Sequence, residues 1–139
     1  MTHASRAYEK LDFALSSFNI SPKSLIVADF GSSTGGFVDC LLQNGASKVY
    51  SVDVSYGELA WKLRNDPKVV VMERTNALHV TLPEKMDLIT IDTGWTKQKL
   101  ILPNAINNLK KGGIIISLIK PHYEADKKYL KKGRLMDEH

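Results

Sequence analysis

The sequence predicts an α/β fold, one doubly wound and mostly parallel sheet. Short apolar runs bounded by glycine, proline or charge alternate with stretches of helical periodicity, and a glycine-rich turn follows the first run directly. Strands joined through helices imply right-handed crossovers and a sheet covered on both faces.

Each element has its own signal. Tyr8, Leu11, Leu15 and Phe18 fall at helical spacing, so residues 5–18 read as an amphipathic helix, which Ser21-Pro22 breaks off. Residues 25–30 (Leu-Ile-Val-Ala-Asp-Phe) form the first strand, apolar enough to be buried on both faces. A turn spans Gly31–Gly36, and Phe37–Asn44 reads as a helix closed by Gly45. The second strand is Lys48–Asp53, after which Ser55 and Glu58 form a capping box for a helix running to about Arg64. Lys68–Glu73 and Met86–Asp92 are the third and fourth strands. Leu102, Ile106 and Leu109 mark a further helix, stopped by Lys110-Lys111-Gly112-Gly113, and Ile114–Lys120 is the fifth strand, ending at Pro121.

Composition narrows the function classes. With 139 residues, 43% hydrophobic and 24% charged, the chain suits one globular domain over residues 1–139. No apolar run approaches the ~20 residues of a membrane span, and the polar start is no signal peptide. The single cysteine, Cys40, lies in an apolar stretch and reads as a buried small hydrophobe, consistent with a reducing, cytoplasmic setting. The net charge of +4 gathers toward the end (Lys120, Lys127, Lys128, Lys131, Lys132, Arg134) and, less densely, at His3, Arg6 and Lys10. Such clusters attract phosphate backbones, though a solvated surface accounts for them too.

In an open parallel sheet the ligand lies beyond the carboxyl ends of the strands, at the point where strand order reverses. The turn there reads Asp29-Phe30-Gly31-Ser32-Ser33-Thr34-Gly35-Gly36 before Phe37. It lacks the Gly-Lys-Ser/Thr of a phosphate loop, and Ser33 stands where a dinucleotide turn wants its middle glycine. An acidic strand end with a looser glycine set suits S-adenosyl-L-methionine, which carries an amino-acid tail and no pyrophosphate. Turn amides can face its carboxylate, and Asp29 can receive its ammonium. Asp53, followed by Val54, ends the second strand about where an acidic side chain accepts ribose hydroxyls. Asn76-Ala77, after the third strand, would lie at the adenine edge. A helix cap and a turn residue are the plainer roles for Asp53 and Asn76. No metal site is expected.

Two polar residues end apolar strands where no core needs them: Asp92 and Lys120. On neighbouring strands their ends would lie ~5 Å apart. A ribose hydroxyl must lose its proton as it attacks a sulfonium methyl, and a lysine with a lowered pKa could take it. Asp92 would orient that ammonium and Lys10 supply a second cation. A structural ion pair at the sheet edge is the competing account.

The stretches Ser5–Leu11, Asp29–Asp39, Asp53–Asn76 and Leu118-Ile119-Lys120-Pro121 closely resemble the TlyA family of FtsJ-like methyltransferases, with residues 53–64 (Asp-Val-Ser-Tyr-Gly-Glu-Leu-Ala-Trp-Lys-Leu-Arg) especially specific. The resemblance implies a Rossmann-like class I methyltransferase fold and methylation of RNA, with ribosomal RNA or the ribosomal subunit as the expected substrate, at ribose 2′-hydroxyls, commonly of cytidine. It also implies a Lys-Asp-Lys-Glu tetrad whose first three members fall on Lys10, Asp92 and Lys120. Three departures stand out. The family's S4 RNA-binding domain is absent from this sequence. The two final strands, with the tetrad's glutamate, are expected to be missing, since Glu124 follows Lys120 too soon. Thr93-Gly94-Trp95-Thr96 replaces the usual serine- and phenylalanine-containing segment. A non-catalytic cofactor- or RNA-binding module is therefore the alternative. The family is also described as hemolysins, but no membrane-inserting segment is seen. Trp95 is placed in a loop at the crevice mouth, able to stack on a base or pack on a helix. Trp61 is expected in the core.

Overall fold

The computed structural model describes residues 6–120, 128–131 and 134–137, with the side chains of residues 6–92 and 97–118. The chain runs α1 (Arg6–Ser17), β1 (Ile26–Phe30), α2 (Gly36–Gln43), β2 (Lys48–Val52), α3 (Trp61–Arg64), β3 (Val69–Met72), β4 (Met86–Gly94), α4 (Trp95–Asn107), β5 (Leu109–Lys120), β6 (Lys128–Lys131) and β7 (Arg134–Asp137). These strands form one sheet ordered β3-β2-β1-β4-β5-β6-β7. The first five are parallel, as expected; β6 and β7 pair antiparallel to their neighbours.

Why these residues make a buried parallel sheet is plain from their burial. Val27, Ala28, Phe30, Val49, Val52, Leu88, Ile89 and Ile91 have no accessible surface, because helices or loops cover both faces. One apolar cluster joins Tyr8, Leu11, Ala14 and Leu15 of α1 to Val38 and Leu41 of α2 over one face. The other cluster packs Ile101 and Ala105 of α4, with Ala77, Val80 and Leu82, against Phe30, Val52, Ile89 and Ile91. Cys40 lies wholly inside the first cluster, and burial pushes its thiol up to about 12, the property of an inert hydrophobe.

Several expectations are corrected. The Ser55/Glu58 capping box opens no helix: residues 53–60 form an irregular loop, and α3 is a single turn starting at Trp61, with Ala60 at its N-cap. Glu58 instead accepts a hydrogen bond from Ser33 Oγ at 3.4 Å. Trp61 is 77% exposed, because a one-turn helix buries only Leu63. Trp95 is not in a loop but begins α4. The core stripe of α4 is Gln98, Ile101, Ala105 and the adjoining Asn108, whereas Ile106 is exposed and Leu109 opens β5. Strand β5 runs back through Lys110–Gly113, and its pairing with β4 shifts between Met86 and Leu88. Finally, the sheet does not stop at the fifth strand: β6 and β7 form a short hairpin on its edge.

Candidate active site

Strand order reverses between β1 and β4, which opens a crevice beyond their carboxyl ends. In register across that seam lie Asp29 and Thr90. Asp29 is 1% exposed. The Thr90 hydroxyl donates to its Oδ1 at 2.7 Å, and Ser32 Oγ donates to its main-chain oxygen at 3.2 Å. Burial pushes the Asp29 carboxyl up to about 7; the Thr90 and Ser32 hydroxyls partly offset this, while the nearby Asp92 and Asp53 charges add to it. A buried carboxyl short of positive charge is a receptor for a cation. Thr90 is a site residue the sequence reading missed, although a threonine inside Leu88-Ile89-Thr90-Ile91 was the available signal.

The turn after β1 is held from below. Gly31 and Ser32 donate their amides to Val52 O, Ser33 donates to Asp53 Oδ2 at 2.5 Å, and Gly35 donates to Ser32 O. Four turn amides expected to face a carboxylate are thus engaged within the protein. Available to an incoming anion are the amides of Gly36 and Phe37, which open α2 and so have no partner within that helix. Gly35 adopts φ 105°, and a Cβ there would meet the ends of Leu63 and Leu59, so any other residue is strained. Ser32, Ser33, Thr34, Gly36 and Phe37 line a hollow of about 280 Å³ together with Asp29, Asp92, Gly31 and Ala7 of α1.

A second hollow of about 370 Å³ shares Gly31 with the first and extends over the ends of β2 and β3. Asp53, Val54, Asn76 and Ala77, all named from sequence, line it with Val52, Thr75 and Leu78; Lys97, Leu100 and Ile101 of α4 add a wall that sequence reasoning did not find. The Asp53 carboxylate also accepts from Ser55 N at 3.4 Å, tying the turn after β1 to the loop after β2. With about four lone-pair positions, it retains capacity for ribose hydroxyls. That loop is anchored in turn by Glu73, which accepts from the Arg64 guanidinium and from Gly57 N at 2.7 Å. Asn76 Oδ1 accepts from Leu78 N at 2.9 Å, so it serves the turn, as its plainer reading had it.

Asp92 lines the smaller hollow, and its Oδ1 is shielded from solvent. Lys10, half-buried, follows Ala7 by one turn of α1, on the flank that borders the same hollow. Strands β4 and β5 are neighbours, but Asp92 pairs with Leu118 and Lys120 pairs with Gly94. The two candidate residues are therefore diagonal, with backbones on the order of 8 Å apart rather than directly opposite. The Lys120 side chain lies outside the described residues, as do Glu124 and the side chains of Trp95 and of the C-terminal basic cluster.

Five parallel strands in this order, with acidic residues near the ends of β1 and β2 around two adjoining hollows, define a Rossmann-like domain. A family model described as FtsJ-like methyltransferase matches residues 3–138, and the chain belongs to that family. It is 46% identical over 145 residues to YqxC of Bacillus subtilis, a protein described as an rRNA methyltransferase, covering 99% of this chain and 50% of that one. It is 40% identical over 138 residues to the 16S/23S rRNA (cytidine-2′-O)-methyltransferase TlyA of Mycobacterium tuberculosis, covering 96% of this chain and 51% of that one. A solved structure described as a hemolysin from Streptococcus thermophilus superposes with a TM-score of 0.83 at 40% identity, over 90% of this chain and 47% of that one. The chain thus spans about half the length of the curated relatives it matches. Among the described residues no helix is long and apolar enough to cross a membrane.

Proposed function

We infer that this chain is the cofactor-binding and catalytic portion of an S-adenosyl-L-methionine-dependent RNA ribose 2′-O-methyltransferase acting on ribosomal RNA. The observation that carries the reading is the buried Asp29–Thr90 pair at the switch point, in one hollow with Asp92 and adjoining a largely apolar hollow beside Asp53. The two hollows together fall in the size range of small-molecule sites. Asp29 would receive the ammonium of the methionine moiety, the start of α2 its carboxylate, and Asp53 the ribose hydroxyls. Ala77, Leu100 and Ile101 would enclose the adenine.

When bound, S-adenosyl-L-methionine supplies an electrophilic methyl group on sulfur. The chain's own task is to remove the proton from the ribose hydroxyl as it attacks. Lys120 is assigned that proton, with Asp92 orienting its amine and Lys10 adding positive charge that favours the neutral form. TlyA, the relative named for cytidine 2′-O-methylation, supports the choice of a ribose oxygen.

The test is transfer of labelled methyl groups to ribosomal subunits that lack the modification. Lys120→Ala is expected to lose at least 100-fold in rate while keeping its affinity for S-adenosylhomocysteine. Equal rates in parent and variant would remove Lys120 from the mechanism. Tight cofactor binding with no transfer to any RNA would instead mark a binding module.

A further inference from the structure

The core-facing stripe of α4 contains a polar residue that no step above uses. Gln98 is 2% exposed, four residues into the helix that follows Asp92. Its Oε1 accepts from the Ser117 hydroxyl, and its Nε2 donates to the Leu118 carbonyl. Ser117 is itself fully buried. One amide thus grips the side chain of one β5 residue and the backbone of the next.

The position of that grip matters. Leu118 is the register partner of Asp92, and Lys120 is two residues further along the same strand. Asp92, the start of α4, Gln98 and Leu118 therefore close a ring around the ends of β4 and β5. Apolar contacts between α4 and β5 are non-directional and tolerate small displacements. A bifunctional amide is satisfied in only one alignment, because a one-residue slip of β5 would turn Ser117 to the opposite face. An amide buried without partners costs about 1–3 kcal/mol, so a slipped strand is penalised at Gln98 itself.

We propose that Gln98 is a positioning residue, which through Ser117 and Leu118 holds the Lys120 backbone at a fixed offset from Asp92. The assignment rests on the methyltransferase reading for its catalytic consequence, but not for the tether. Gln98→Met keeps the volume and removes both hydrogen bonds. It is expected to lower kcat about 10- to 100-fold, as small misplacements of a reacting group do, while the KM for cofactor changes less than twofold. Gln98→Glu, which retains the acceptor for Ser117, should recover part of the loss. Glu84→Gln serves as a stability control: Glu84 binds Tyr50 and Lys48 at the opposite end of the sheet, so its loss should lower Tm and leave kcat unchanged.

Amide hydrogen exchange gives a readout independent of turnover. Protection at residues 118–120 should fall at least tenfold in Gln98→Met and stay near the parent value in Glu84→Gln. Unchanged exchange there, or a kcat per folded molecule equal to the parent's, overturns the proposal. If the parent itself transfers no methyl group, the functional reading falls and the exchange data alone decide the tether.

Discussion

Asp29 and Thr90 meet across the β1–β4 seam, the Thr90 hydroxyl donating to the Asp29 carboxyl at 2.7 Å with both residues closed off from water. Neutral hydroxyls, from Thr90 and Ser32, do not replace the solvation that burial removes. The carboxyl therefore holds its proton up to about pH 7, where an unfolded aspartic acid releases it near 3.8.

That difference has a consequence for stability. Between the two values the folded state binds more protons than the unfolded chain, so the contribution of Asp29 is fully present below about pH 4 and is lost as pH rises through 7. The gap corresponds to about 4 kcal/mol as an upper limit. Asp29→Asn keeps an acceptor for Thr90 and carries no charge. Its Tm is expected to exceed the parent's by several degrees at pH 8, with the two converging at about pH 4, as thermal melts across that range would record. A lower Tm at pH 8 would contradict the burial argument.

Gly35→Ala places a methyl group against Leu63 and Leu59 at a φ of 105°. Strain of this kind costs about 1–3 kcal/mol. Urea denaturation should show the loss as a lower midpoint with an unchanged slope, and cofactor affinity should fall with it because the turn moves. An unchanged midpoint would mean that the turn accommodates a side chain.

Asp53→Ala removes the acceptor shared by the Ser33 and Ser55 amides. The turn after β1 and the loop after β2 lose their common tie, and the ribose loses its partner. Affinity for S-adenosylhomocysteine is expected to drop 10- to 100-fold by calorimetry, on the scale of one charged hydrogen bond. Asp53→Asn, which keeps an acceptor oxygen, should lose less. Equal losses in the two variants would point to the charge alone.

The fold was legible because its strands are uniformly apolar and its glycines punctuate them. Asp29 and Asp53 were legible as acids ending apolar runs. What stayed hidden has a common cause, namely polar residues inside buried faces. Gln98 lies on the core side of α4 and Asn108 just past its end, where Asn108 accepts from Leu82 N and donates to Val80 O. Their polarity displaced the apparent stripe to Leu102, Ile106 and Leu109, and the α4 wall of the larger hollow went unseen. The Ser55/Glu58 pair mimicked a capping box because Glu58 is spaced correctly for one while bonding Ser33 instead. Lys120 was rightly placed on the strand beside Asp92, but a two-residue register offset cannot be read from one strand.

The claim on which the account turns is that ionised Asp29 receives the amino group of the cofactor. Calorimetric titration with S-adenosylhomocysteine at pH 6 and pH 8 tests it directly. With a carboxyl titrating at about 7, affinity should rise about tenfold between the two, with proton release on binding at the lower pH, and both effects should vanish in Asp29→Asn. Absence of binding at pH 8, or an affinity that is the same at both pH values in parent and variant, would contradict it.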